Sequence, residues 1–130
     1  MKEITIIAKN ALGSLAVVSE ALGNVGVNIE AISAYEKNDR AVFRLLTNDV
    51  NTTMKALSKV PDVTARSEDV IVLRLVNRPG ELAKITRKLA NKSVNLESLY
   101  IVSKASDFTE VAVKPSEADF EKAKGVLGVK

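Results

Sequence analysis

The chain has 130 residues, 46% hydrophobic and 4% aromatic, with a net charge of +3 from 19 basic and 16 acidic residues. That is enough for one ordinary domain or two very small ones, with a core of Val, Leu, Ile and Ala. No cysteine or histidine occurs, which removes disulfides, thiol catalysis, Cys-based zinc sites and every His-based triad or metal site. The mild positive excess is spread along the chain, so it gives no basic patch for nucleic acid.

The N-terminal apolar run is too short for a signal peptide, and no stretch of about 20 apolar residues could cross a membrane. The missing thiols fit a cytoplasmic protein.

In chain order, the β-branched run Glu3–Ala8 predicts a strand. Asn10-Ala11-Leu12-Gly13 forms a turn. From Ser14 to Leu22, the residues Leu15, Val18, Ala21 and Leu22 share one helical face. Gly23 and Gly26 are expected to stop that helix. Val27–Glu36 reads as a strand, Asn38-Asp39 as a hairpin turn, and Ala41–Thr47 as the returning strand. Asp49 or Asn51 can cap a helix that turns Val50, Met54, Leu57 and Ala56 inward, with Pro61 ending it. Val63–Ser67 makes a fourth strand, giving the order β-α-β-β-α-β.

The series then restarts. Val70–Val76 is a strand, and Asn77-Arg78-Pro79-Gly80-Glu81-Leu82 is a strand–helix junction. Orphan N–H groups at a helix start favour an anionic group. Pro79 presets φ for the turn or the first helical position. Gly80 can take a positive φ and admit a ligand close to the backbone. Asn77 can cap the helix or turn its amide toward a ligand. A helix over 80–90 carries Leu82, Ile85, Leu89 and Ala90 on one face. Val94–Lys104, a turn at Ser106-Asp107, and Phe108–Lys114 follow. Pro115-Ser116 then leads into a helix with Phe120, Ala123 and Leu127 inward. Only Gly128–Lys130 remain for the strand that would close this second unit, so it is truncated or completed by another segment or chain.

An offset of 67 residues, which sets Asn77 on Asn10, aligns the two halves without a gap over residues 10–37. It matches Asn10/Asn77, Gly13/Gly80, Leu15/Leu82, Ala16/Ala83, Leu22/Leu89, Asn24/Asn91, Val27/Val94, Asn28/Asn95, Glu30/Glu97 and Lys37/Lys104. Core packing alone does not explain the paired Asn and Gly positions, so a duplicated unit is the economical reading. The expected fold is α+β: two ferredoxin-like βαββαβ units, at 1–68 and 69–130, with antiparallel sheets and helices on one face. Exposed sheet faces and edges predict association of the two halves and of two chains.

Asn77-Arg-Pro-Gly-Glu-Leu82 after a strand, followed by Ser93-Val-Asn-Leu-Glu-Ser-Leu99, resembles the ACT domain, a small ligand-binding module of amino-acid metabolism. Asn10-Ala-Leu-Gly-Ser-Leu15 with Gly26-Val-Asn-Ile-Glu-Ala-Ile32 resembles a diverged copy lacking the proline. The resemblance covers nearly the whole chain as a tandem pair with no catalytic domain attached, like stand-alone tandem ACT proteins. The Gly-x-Asn-Ile-Glu segment is also similar to the regulatory subunit of acetohydroxyacid synthase.

The resemblance implies an amino acid bound between paired domains by Asn77, Arg78, Pro79, Gly80, Glu81 and Leu82, with Asn95 facing them. It implies a diverged counterpart site at Asn10, Ala11, Leu12, Gly13 and Asn28. The 18-residue separation of Asn77 and Asn95 equals that of Asn10 and Asn28. Backbone N–H groups near Gly80 can hold an α-carboxylate, an asparagine carbonyl can accept from the α-ammonium, and Leu82 or Leu99 can wall the side chain.

The bland readings stand beside these. Arg78 reads as a solvated charge, and Glu30 and Glu97 as surface groups, since no nucleophile or metal cluster accompanies them. The function implied is a non-catalytic amino-acid sensor, homodimeric, with a metabolic enzyme as partner, no cofactor, no nucleic acid and no membrane. The alternatives are a regulatory subunit of an amino-acid biosynthetic enzyme, of the acetohydroxyacid synthase kind, and, more weakly, an RNA-binding sheet with only Phe43 and Phe108 to stack bases.

Overall fold

β1 (Lys2–Lys9), α1 (Ser14–Asn24), β2 (Ile29–Lys37), β3 (Arg40–Thr47), α2 (Val50–Leu57) and β4 (Val63–Asp69) form the first half of a computed structural model that describes residues 1–9 and 12–129. The second half has β5 (Ile71–Val76), α3 (Glu81–Asn91), β6 (Leu96–Lys104), β7 (Phe108–Pro115), a 3₁₀ turn (Glu117–Asp119) and α4 (Phe120–Leu127). The chain divides into two units, Lys2–Asp69 and Val70–Lys130 together with Met1.

The first unit is a four-stranded antiparallel sheet in the order β2-β3-β1-β4. Period-2 alternation buries Ile4, Ile6 and Ala8 of β1 with Phe43 and Leu45 of β3. Val18 and Leu22 of α1 and Ala56 and Leu57 of α2 belong to the same core. Asn38 and Asp39 stand at φ 52 and 61 in the β2–β3 turn. Positive φ at both central residues is the type I′ hairpin that matches strand twist, so the sequence expectation holds.

Asp49, not Asn51, caps α2, its carboxylate accepting from the Thr52 N–H at 3.0 Å. The helix ends at Leu57, before Pro61. Thr53 is fully buried, which the apolar pattern did not indicate; its hydroxyl donates to the Asp49 carbonyl at 2.7 Å and lies 3.0 Å from the Thr47 hydroxyl. A hydroxyl satisfied in this way can sit in a core.

Gly23 does not stop α1. The helix runs on to Asn24, and Gly26, at φ 76, supplies the left-handed cap. The Val27 N–H donates to the Leu22 carbonyl and the Gly26 N–H to the Gly23 carbonyl, which is the Schellman arrangement.

The second unit repeats this plan with one strand fewer. Its sheet has three strands in the order β5-β7-β6. Ile71, Leu89, Val94, Val111, Val113 and Ala123 form its core, with Leu73, Leu75, Ile85, Leu99 and Phe120 packed against it. Ala90, expected on the inner face of α3, is exposed, and Leu15 and Leu82 are each 38% exposed at the first turns of their helices. The strands begin two residues later than the apolar runs suggest, at Ile29 and Leu96. Val27 and Val94 instead close the preceding helix caps. Among the described residues no helix is long and apolar enough to cross a membrane.

Candidate ligand site at the second strand–helix junction

β5 ends at Val76, and the chain turns through Asn77-Arg78-Pro79 before α3 starts at Glu81. Two hydrogen bonds tie this turn to the β6–β7 hairpin. The Asn77 side-chain amide donates to the Ala105 carbonyl at 2.7 Å, and the Asn77 N–H donates to the Asp107 carbonyl at 3.1 Å. Asn77 is therefore not a helix cap. Its amide nitrogen is spent on the hairpin, and its oxygen remains as an acceptor to offer a ligand.

The N-cap is Gly80, at φ 88 and ψ −11, with no side-chain cap hydrogen bond. Its carbonyl accepts from the Lys84 N–H at 3.1 Å. With no side-chain cap, the Glu81 N–H turns back to the Arg78 carbonyl at 3.4 Å, and the N–H groups of Leu82 and Ala83 are left as candidates for a ligand from the loop side. A Cβ added at Gly80 would meet nothing within 4 Å. Pro79 lies in the turn, so of its two expected places it takes the one before the helix.

Gly13 holds the same conformation, φ 87 and ψ 4, as N-cap of α1. Leu12 beside it is fully exposed. Asn10 and Ala11, the rest of the counterpart loop, lie outside the described residues.

Glu81 opens α3 with its side chain 14% exposed. It pairs with Lys84 at 2.7 Å and with Arg78 at 3.4 Å. The Lys84 ammonium holds the Glu81 carboxyl below the usual range, burial pushes the other way, and Arg78 adds to the lowering. Arg78 is thus more than a free solvated charge: it is exposed but turned onto Glu81.

Beneath the junction is a cavity of about 130 Å³. Leu75, Val76, Leu82, Ile101 and Val111 are its apolar lining; Asn77, Arg78, Glu81, Lys104 and Thr109 are its polar lining. Of the expected residues 77–82, Asn77, Arg78, Glu81 and Leu82 line it and Pro79 and Gly80 do not, while Ile101, Lys104, Thr109 and Val111 of the strands line it without having been expected. The match of Lys37 with Lys104 at the ends of equivalent strands was the available signal.

Asn95 does not join this cavity within its own unit. It precedes β6, while Lys104 at the far end of that strand lines the rim. A nine-residue strand at about 3.3 Å per residue sets the two ends roughly 25–30 Å apart. Asn95 holds the β7–α4 connection instead. Its N–H donates to the Asp119 carboxylate at 2.8 Å and its carbonyl accepts from the Ser116 N–H at 2.9 Å. The Asn95 N–H is the main reason the Asp119 carboxyl sits below the ordinary range. Asn28 repeats the pattern, its N–H donating to the Asn48 side-chain oxygen at 2.9 Å and its carbonyl accepting from the Asn48 N–H at 3.3 Å. The matching separations thus reflect a shared backbone tie at the far end of each sheet.

The aromatic pair considered for base stacking is not presented as a platform. Phe43 is buried in the first core, and Phe108 lies under the Arg74 guanidinium, 4.0 Å from the ring centroid. Among the described residues no group of three or more acidic side chains could hold a metal ion.

Comparison with solved structures finds the same architecture. Protein BT0572 from Bacteroides thetaiotaomicron is 28% identical, with a TM-score of 0.85 over 98% of this chain and 85% of that one. The regulatory subunit of aspartate kinase from Thermus thermophilus, in a ligand-free form, is 19% identical, with a TM-score of 0.68 over 98% and 90%. Its counterpart from Thermus flavus is 17% identical, with a TM-score of 0.63 over 98% and 90%. No family model matches the sequence, and no curated protein does.

Proposed function

We infer that this chain, a tandem ACT-like protein, is a non-catalytic sensor that binds an amino acid at the junction 77–82. The observation that supports the reading is the cavity beside the start of α3, lined by the apolar Leu75, Val76, Leu82, Ile101 and Val111 and by the polar Asn77, Arg78, Glu81, Lys104 and Thr109. An α-carboxylate fits the N–H groups opening α3. The Asn77 carbonyl oxygen and the Glu81 carboxylate are the acceptors offered to an α-ammonium.

The side chain enters the cavity. A space of about 130 Å³ is small beside the roughly 300–1,000 Å³ of drug-sized ligand sites, which favours a small aliphatic side chain over an indole or a phenol. Leu75, Val76, Leu82, Ile101 and Val111 offer it no polar partner.

Asn95 serves this site only if a paired unit presents it, which is how the homodimer enters the reading. The fold shared with regulatory subunits of aspartate kinase suggests an enzyme of amino-acid biosynthesis as the partner. Ligand binding would shift that partner's activity by a coupling of about 1–3 kcal/mol.

A thermal-shift screen with the twenty amino acids tests the reading. A rise in melting temperature with one or a few aliphatic amino acids, and none with aromatic ones, is the expected result. No shift with any amino acid removes the proposal.

A further inference from the structure

α1 carries more apolar surface than its core face uses. Val18 and Leu22 turn into the first core. A second apolar row, Val17, Ala21 and the C-cap residue Val25, runs beside them at a spacing of four. Val17 and Val25 are 50% and 49% exposed. Under the repeat offset the counterparts of these three residues are Lys84, Lys88 and Lys92, all exposed. Lysines are the ordinary dress of a solvated helix face. The second unit gives that face to water, and the first does not. A single exposed valine needs no explanation, but an apolar row over two turns marks a surface that something covers.

A groove of about 280 Å³ lies along this row, between α1 and α2. Ala21 and Val25 line it from the α1 side, and Ala56 and Val60 from α2 and the turn after it. Lys55 and Lys59 stand beside them as its charged lining. Among the described residues neither lysine has a carboxylate partner. Both suit the C-terminal end of α2 through the helix dipole, but that does not account for the apolar row they border.

We propose that this groove docks an amphipathic helix of a partner protein, its apolar ridge laid along Ala21, Val25, Ala56 and Val60 and its acidic residues against Lys55 and Lys59. Helix-in-groove recognition reads an apolar ridge at helical spacing, and the row on α1 offers two turns of that contact. Charge selects the occupant. α1 and α2 hold one carboxylate between them, Glu20. A second copy presenting the same face would therefore set twice as many lysines as glutamates at the seam. An anionic membrane is gripped by clusters of about four to eight basic residues, and this face has two, beside a concave groove and not on a protruding surface. The groove belongs to the first unit and the junction at 77–82 to the second, so docking does not depend on what that junction binds.

NMR titration of the full chain tests this with two synthetic helical peptides that share a ridge of leucines at i, i+4 and i+8. One flanks the ridge with glutamates, the other with lysines. The acidic peptide is expected to bind saturably and to move the amide signals of Val17, Ala21, Val25, Lys55 and Lys59. The basic peptide is expected to bind about tenfold or more weakly, and Lys55→Glu with Lys59→Glu to reverse that preference. Val25→Lys installs the residue that the second unit carries there. It is expected to weaken the acidic peptide and leave the fold intact, because the side chain is half exposed. No binding of the acidic peptide, equal binding by the double variant, or signals moved elsewhere overturns the proposal. So does flotation with phosphatidylserine vesicles that the double variant abolishes, which assigns the face to a membrane. A concentration-dependent dimer that Val25→Lys dissolves overturns it too, and assigns the face to a second copy.

Discussion

Ser93 stands at φ 58 where its repeat counterpart Gly26 stands at φ 76, and each closes the same helix cap. In the second unit the Val94 N–H donates to the Leu89 carbonyl at 2.9 Å and the Ser93 N–H to the Ala90 carbonyl at 3.0 Å, matching Val27 and Gly26 in the first. A serine in the left-handed region carries a steric cost of about 1–2 kcal/mol, partly offset by the greater chain entropy of glycine. Ser93→Gly is therefore expected to stabilise the second unit by ~0.5–1 kcal/mol, and Gly26→Ser to destabilise the first by a similar amount. Thermal or urea unfolding of the two variants checks the opposite signs.

Asn77 holds the candidate site to the β6–β7 hairpin by donating to Ala105. Asn77→Ala removes that bond, at a cost of about 1 kcal/mol. Asn77→Asp sets a carboxylate against a carbonyl oxygen and is expected to cost more than the alanine. Equal stability of the two variants would show that the bond does not fix the turn.

Arg44 and Glu3 form a buried ion pair at 3.0 Å, with side chains 10% and 0% exposed, and the Arg44 guanidinium also donates to the Tyr35 hydroxyl at 3.2 Å. Burial opposes the arginine's charge, but the hydrogen bond to Tyr35 and the attraction of Glu3 outweigh it, so its pKa is raised. Arg44→Ala takes the cation away from a buried carboxylate and is expected to cost about 3 kcal/mol. Denaturant unfolding measures it.

Asp49 caps α2, and its carboxyl is held below the ordinary range first by the Thr52 N–H and then by the Thr52 hydroxyl. A lowered folded pKa means that the cap's contribution is complete above the unfolded value, roughly 3.9, and is lost as pH falls through the folded one. Asp49→Ala is expected to be less stable than wild type at neutral pH, with the gap narrowing below about pH 4. Melting curves from neutral to acid pH show whether it does.

What the sequence revealed was local. The I′ turn at Asn38-Asp39, the Asp49 cap and the Gly80 turn are each set by residues within a few positions, where steric preference acts directly. Partners far apart in sequence left no such trace. Asn77 finds Ala105 28 residues away and Arg44 finds Glu3 41 residues away. Asn95 shows the limit of spacing as a guide. The repeat placed it beside the start of β6, but a strand has two ends, and the junction lies at the other one.

The central claim is that the junction at Gly80 grips the acid end of an amino acid, and calorimetry on the wild type and Gly80→Asp tests it most directly. An aspartate tolerates the left-handed region better than most residues, and its Cβ meets nothing within 4 Å, so the variant is expected to fold. Its carboxylate would repel that of the ligand. The account predicts saturable binding of an aliphatic amino acid to the wild type and its loss in the folded variant; equal affinity in both would contradict it.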